Sequence, residues 1–186
     1  MALTQSKDQI LSTAERFNAA SVMTDLRRRV GDREFGYRAQ ALFAHVLLRI
    51  GGQVEEIRHQ GHPDIIGRLV DKRVLIEVEV ASATSRVHIL KAEDVTAVAS
   101  TDGHSMGLLA VLDCAVPIRW IVIGWDVLKL RPIGTISLTT LQAIADQGLS
   151  ARCTLEFVRL VESNKMNLQN LTFHLLRLRA LRGDVV

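Results

Sequence analysis

Aromatic side chains make up only 4% of this 186-residue chain, and it has just two cysteines and three prolines. Each scarcity excludes something. So few aromatics, with Trp120 and Trp125 both read into one apolar strand, provide no stacking platform for single-stranded nucleic acid. Cys114 and Cys153 lie far apart without CxxC spacing, which gives neither a disulfide framework nor a zinc site and leaves both as core thiols. No apolar run approaches the roughly 18–20 residues of a membrane span. The start, "MALTQSKDQILSTAERF", carries no apolar stretch behind a basic segment. A soluble, cytoplasmic protein with no membrane partner is predicted. No GxGxxG or GxxxxGK(S/T) loop follows a strand pattern, so no nucleotide cofactor is expected, and no GxSxG elbow presents a nucleophilic serine.

What is present suits one folded domain over residues 1–186. The hydrophobic share is 48% and the charged share 23%, both ordinary for a globular chain. Net charge is only +3, but it is unevenly spread. Residues 1–50 hold eight Lys and Arg against five Asp and Glu, residues 51–150 nine against twelve, and residues 151–186 six against three. Basic flanks around an acidic middle suit a polyanion-binding protein that keeps a group of carboxylates for a divalent cation. Ordinary surface variation would give the same counts.

Periodicity divides the chain. Apolar positions from Lys7 to Arg29 recur every three to four residues, predicting a helix that ends at Gly31 after three arginines. A second helix is predicted over Arg33–Ile50, with Phe35, Ala39, Leu42, Phe43, Val46, Leu47 and Ile50 on one stripe and Gly51-Gly52 ending it. The period then falls to two. Strands are predicted at Gln53–Arg58, Asp64–Val70 and Arg73–Ala81, with Asp71-Lys72 as the tight turn of a meander. Residues 84–100 read as a helix, "GLLAVLDCAV" as a central buried strand, "RWIVIGWDVL" as a further strand and "SLTTLQAIADQ" as a capped helix. "RCTLEFVRLV" fits either a strand or a helix start. The order is mixed α/β.

One strand is chemically odd. In "RVLIEVEVA", Val74, Ile76, Val78 and Val80 face one side while Leu75, Glu77 and Glu79 face the other. Antiparallel pairing across a short turn brings Asp64 toward the glutamates. Three carboxylates so placed ask for a counter-charge, since buried like charges cost several kcal/mol unless paired or bound to a cation. A solvated strand face is the plain alternative.

"HPDIIG" followed by "LIEVEV" resembles the PD-(D/E)xK nucleases, the restriction-endonuclease-like superfamily. The resemblance covers about residues 33–125 and implies a mixed central sheet flanked by helices, an αβββαβ core over about 33–135, with helical additions at 1–31 and 165–182. It implies a Mg²⁺-dependent DNA endonuclease in which Mn²⁺ can substitute, with Asp64 and Glu77 as metal ligands and Gln40 reaching a metal-bound water from the preceding helix. Glu79 stands where the family's lysine usually stands, and would serve as water activator or second-metal ligand, as in some restriction enzymes of the superfamily. If the lysine is displaced, Lys91 on the following helix is the candidate, ahead of Lys72 in the turn. The same departure leaves open a module that binds nucleic acid or a protein partner without cutting. His62 and His88 flank the site in sequence and could contact phosphate or move a proton, whereas His45 reads as a core or boundary residue.

Near the C-terminus Leu168, Leu171, Leu175, Leu178 and Leu181 recur at three and four residues, with arginines between. This stripe must bury itself against the N-terminal helix or another copy of the chain, and a homodimer is expected.

Overall fold

In the computed structural model, residues 11–58, 62–81, 86–99, 104–164 and 168 are described. Two long helices come first: α1 (Thr13–Val30), opened by a Ser12–Glu15 capping box, and α2 (Asp32–Arg49), separated by Gly31 at positive φ. Ser12 Oγ accepts from Glu15 N while the Glu15 carboxylate accepts from Ser12 N, satisfying two donors that a helix start leaves free. Arg152 closes the other end of α2 by donating to Ile50 O. The buried stripe of α1 is Ala19, Ala20, Met23 and Leu26; Phe17, expected on that stripe, is 58% exposed.

A meander follows, of β1 (Gln53–Ile57), β2 (Ile65–Leu69) and β3 (Lys72–Val80), in a five-stranded sheet ordered β1-β2-β3-β5-β6. The β2–β3 turn is one residue earlier than expected. Val70 and Asp71, both at positive φ, make it, and Lys72 already pairs with Leu69. Positive φ at both central residues is the primed geometry that matches strand twist. β5 (Ser105–Asp113) runs parallel to β3, and β6 (Arg119–Gly124) runs antiparallel to β5 at the edge.

The β3–β5 crossover departs most from expectation. Instead of one helix over 84–100, the chain forms β4 (Val87–Leu90), which pairs with β7 (Gly134–Ser137) in a separate ribbon, and only then the short α3 (Ala92–Ala97). In β4, His88 and Leu90 are buried while Ile89 is exposed, so the segment has the period of a strand. A short apolar stretch is ambiguous until its tertiary partner is known. Likewise "WDVL" leaves the sheet as α4 (Trp125–Leu128), so Trp120 is in a strand and Trp125 is not. Ser137 caps α5 (Leu138–Ile144), and "RCTLEFVRLV" belongs wholly to the helix α6 (Gln147–Asn164).

Two apolar clusters sandwich the sheet. α1, α2 and α6 cover Val74, Ile76, Val78, Leu108, Ala110, Leu112, Trp120 and Val122, with Trp120 edge-on to Phe43 and Phe157. On the opposite face Leu109, Val111, Ile121 and Ile123 meet residues of β4, α4 and α5. The β6 edge is sealed by α6: Thr154 Oγ1 accepts from Trp120 N and Ser150 Oγ from Val122 N. Such capping removes the unpaired backbone groups through which edge strands associate. Among the described residues no helix is long and apolar enough to cross a membrane. Of the C-terminal leucine stripe only Leu168 is described, and it is buried in the α1–α2–α6 cluster; the rest of the stripe, and the dimer it suggested, lie outside the described residues.

Candidate metal centre

The β2–β3 pairing places Ile65 opposite Ile76, so Asp64, one step before, comes beside Glu77, and its backbone N donates to Glu77 Oε2 at 3.3 Å. The Asp64 carboxylate is firmly held. Gln40 Nε2 on α2 donates to Oδ1 at 2.7 Å and Val78 N to Oδ2 at 2.8 Å. Glu77, only 2% exposed, has Oε1 2.7 Å from His62 Nδ1. Glu79 lies two residues on, on the same face, with Lys91 Nζ 3.8 Å from its Oε1. Lys91 stands at the N-cap of α3 rather than within a helix, and also meets Glu93 at 3.4 Å. Lys72 lies exposed at the start of β3.

The crossover adds a carboxylate that sequence reasoning missed. Asp94 on α3 is fully buried at 0% exposure, and one oxygen each from Glu77, Glu79 and Asp94 lie within 4.8 Å of one another. Asp94 Oδ2 accepts from Lys91 N at 3.0 Å, whereas Oδ1 has no hydrogen-bond partner. Gln40 Oε1 is also buried without a partner. The helix expected over 84–100 puts position 94 in mid-helix, where an acid reads as a solvated face, so no local signal singles Asp94 out.

Why α3 sits so close is local. A Cβ on Gly107, in β5, would run into the carbonyl oxygen of Val98, the residue that ends α3. Only a glycine lets the end of α3 lie directly on the strand.

Burial dominates the electrostatics. It pushes the Asp64 carboxyl up to about 6, against the Val78 N–H bond that favours the charged form. Burial followed by the nearby Asp64 raises Glu77 to about 7, and burial followed by Asp94 raises Glu79 to about 7, partly offset by Lys91. For His62 burial opposes the charged form, but the Glu77 carboxylate outweighs it and holds the imidazole above its ordinary value. His88 is shifted the opposite way by its burial, and His45, half-buried on α2, is lowered by desolvation. The two cysteine thiols, pushed by burial to about 12, have no nucleophilic character.

Asp64, Glu77, Glu79, Gln40 and Lys91 therefore meet in one region, with His62 against Glu77, but the three carboxylate oxygens that converge come from Glu77, Glu79 and Asp94 and not from Asp64, whose two oxygens already accept from Gln40 and Val78. An all-oxygen donor set of this kind suits a hard divalent cation, while zinc sites are normally built with His or Cys. Compared with protein-family models, curated proteins and solved structures, the chain matches none.

Proposed function

We propose that the protein is a Mg²⁺-dependent DNA endonuclease of restriction-endonuclease-like fold, with Mn²⁺ able to substitute. The observation that carries the reading is the convergence of buried Glu77 and Asp94 with half-buried Glu79 around one spot, with Asp94 Oδ1 left unpartnered. Carboxylates crowded in this way are costly as anions unless counter-charged, and beyond Lys91 at Glu79 and His62 at Glu77 a bound cation would supply the rest. Glu77, Glu79 and Asp94 would hold it, with Asp64 anchored beside Glu77. When bound, a divalent ion supplies Lewis-acid polarisation of a phosphoryl oxygen and a bound water of lowered pKa.

The remaining roles belong to the chain's own groups. Gln40 uses Nε2 to fix Asp64, so its unpartnered Oε1 is left to accept a hydrogen bond from a water. Lys91, exposed and beside Glu79, offers a cationic head to a phosphate oxygen. His62, partly exposed and held by Glu77, donates from its other ring nitrogen to a non-bridging oxygen or returns a proton to a leaving group. DNA is the expected partner, drawn by the basic flanking segments, and two copies of the chain would let two sites address the two strands of a duplex.

The test is incubation with plasmid, linear and branched DNA in Mg²⁺ or Mn²⁺, with and without EDTA, beside Asp64→Ala. Cleavage that needs the ion and drops by about 10–100-fold in the variant is expected. Unchanged cleavage by the variant would remove Asp64 from the site, and no cleavage of any DNA would leave a binding module.

A further inference from the structure

The β4–β7 ribbon brings a second unpartnered buried group to the back of Asp94. His88, on β4, is 5% exposed, and its Nε2 has no hydrogen-bond partner. It lies 3.9 Å from Asp94 Oδ2, the oxygen already accepting from Lys91 N. Two buried polar groups that face each other beyond bonding distance, each with an unsatisfied atom, are costly for a fold to keep. Their arrangement makes sense if Asp94 has two jobs. Oδ1, which has no partner, would be the oxygen free for a cation, while Oδ2 takes the donors.

We infer that His88 is a positioning residue for cation binding: when an ion is held, its Nε2–H closes the 3.9 Å gap and donates to Asp94 Oδ2, leaving Oδ1 for the ion. This deepens the metal-dependent reading above and rests on it. His88 does not itself belong to the group of oxygens that converge, and it acts through Asp94. The role requires a proton on Nε2, whichever form the other ring nitrogen takes. The partner strand β7 holds His88 by pairing it with Ile136, which accounts for a small ribbon hydrogen-bonded separately from the main sheet.

The test is Mn²⁺ binding to the full chain, followed by calorimetry and by the loss of the free-ion electron paramagnetic resonance signal. Three proteins are compared: wild type, His88→Phe, which keeps the ring but has no donor, and His88→Gln, whose amide nitrogen reaches nearly as far as Nε2. Outer-sphere donors to metal ligands typically carry about 10–100-fold in affinity. His88→Phe is therefore expected to weaken Mn²⁺ binding by about that factor, and His88→Gln to stay near wild type, with metal-free melting temperatures of both variants close together. Wild-type affinity in His88→Phe overturns the inference. So does equal weakening in both variants accompanied by equal loss of melting temperature, which would mean a packing role alone. If wild type binds no Mn²⁺, the inference falls together with the metal-dependent reading. If the ion binds with this pattern of affinities but no DNA is cut, only the nuclease reading fails.

Discussion

On one face of β3, Val74, Ile76 and Val78 lie under α1, α2 and α6 in an apolar cluster, while on the other Glu77 and Glu79 lie under α3 with Asp94. The first face contributes free energy by removing hydrocarbon from water, and it does so in any solution. The second opposes folding whenever its carboxylates are ionised without a counter-charge. Adjacent residues of one strand therefore respond differently to the same perturbation, and an ion should matter to one face only.

The largest contrast is between Ile76→Ala and Glu77→Gln. Truncating Ile76, fully buried, should lower stability by about 2–5 kcal/mol with or without divalent ions. Glu77→Gln should leave stability in EDTA at pH 8 unchanged or raised, since it removes a buried charge, and should abolish the ion-dependent rise in melting temperature. Chemical denaturation of both variants in EDTA and in Mg²⁺ checks this. If Ile76→Ala and Glu77→Gln lose stability alike in EDTA, the two faces do not differ as described.

Gly107→Ala tests how the second face is assembled. The added methyl group collides with the Val98 carbonyl, so α3 must shift, at a cost of about 1–3 kcal/mol. Asp94 moves with it, and ion affinity should fall more than fluorescence-monitored stability alone would suggest.

The pH response sharpens the contrast further. Glu77 and Glu79 titrate at about 7 in the folded chain against an ordinary value of 4.5, and Asp64 at about 6 against 3.8. Across the interval between those values the folded state holds more protons than the unfolded one, so stability falls as pH rises through it. His62, raised by Glu77, acts in the same direction. The metal-free protein should melt at a lower temperature at pH 8 than at pH 5.5, and saturating Mg²⁺ should recover most of the difference at pH 8. A melting temperature independent of pH in EDTA would contradict the buried-carboxylate account.

The smallest effect lies at the β2–β3 turn, far from both faces. Val70 is exposed with φ of 49°, a conformation that a β-branched residue adopts at a cost of about 1–2 kcal/mol. Val70→Asn should stabilise the chain by about 1 kcal/mol at every pH and ion concentration, as read by denaturant midpoint.

The alternation of "RVLIEVEVA" by itself determined that Glu77 and Glu79 share a face and that valines and Ile76 share the other, because a pleated strand has a period of two whatever surrounds it. The short turn likewise determined that Asp64 would come back beside Glu77, although the turn lies at Val70-Asp71 and not at Asp71-Lys72. The helices over 32–49 and 138–144 were legible from stripes, glycines and a serine cap, all local signals. Asp94 and His88 were not legible. Their segment carries too few apolar residues to distinguish strand from helix, and what decides is a partner distant in sequence: β4 forms because β7 pairs with it, from Val87 opposite Ser137 to Leu90 opposite Gly134. Burial of Asp94 depends in turn on Gly107 admitting the end of α3 onto β5. A carboxylate's solvation is a property of everything packed around it, and only the tertiary structure decided that this one would be buried beside two glutamates with one oxygen left without a partner.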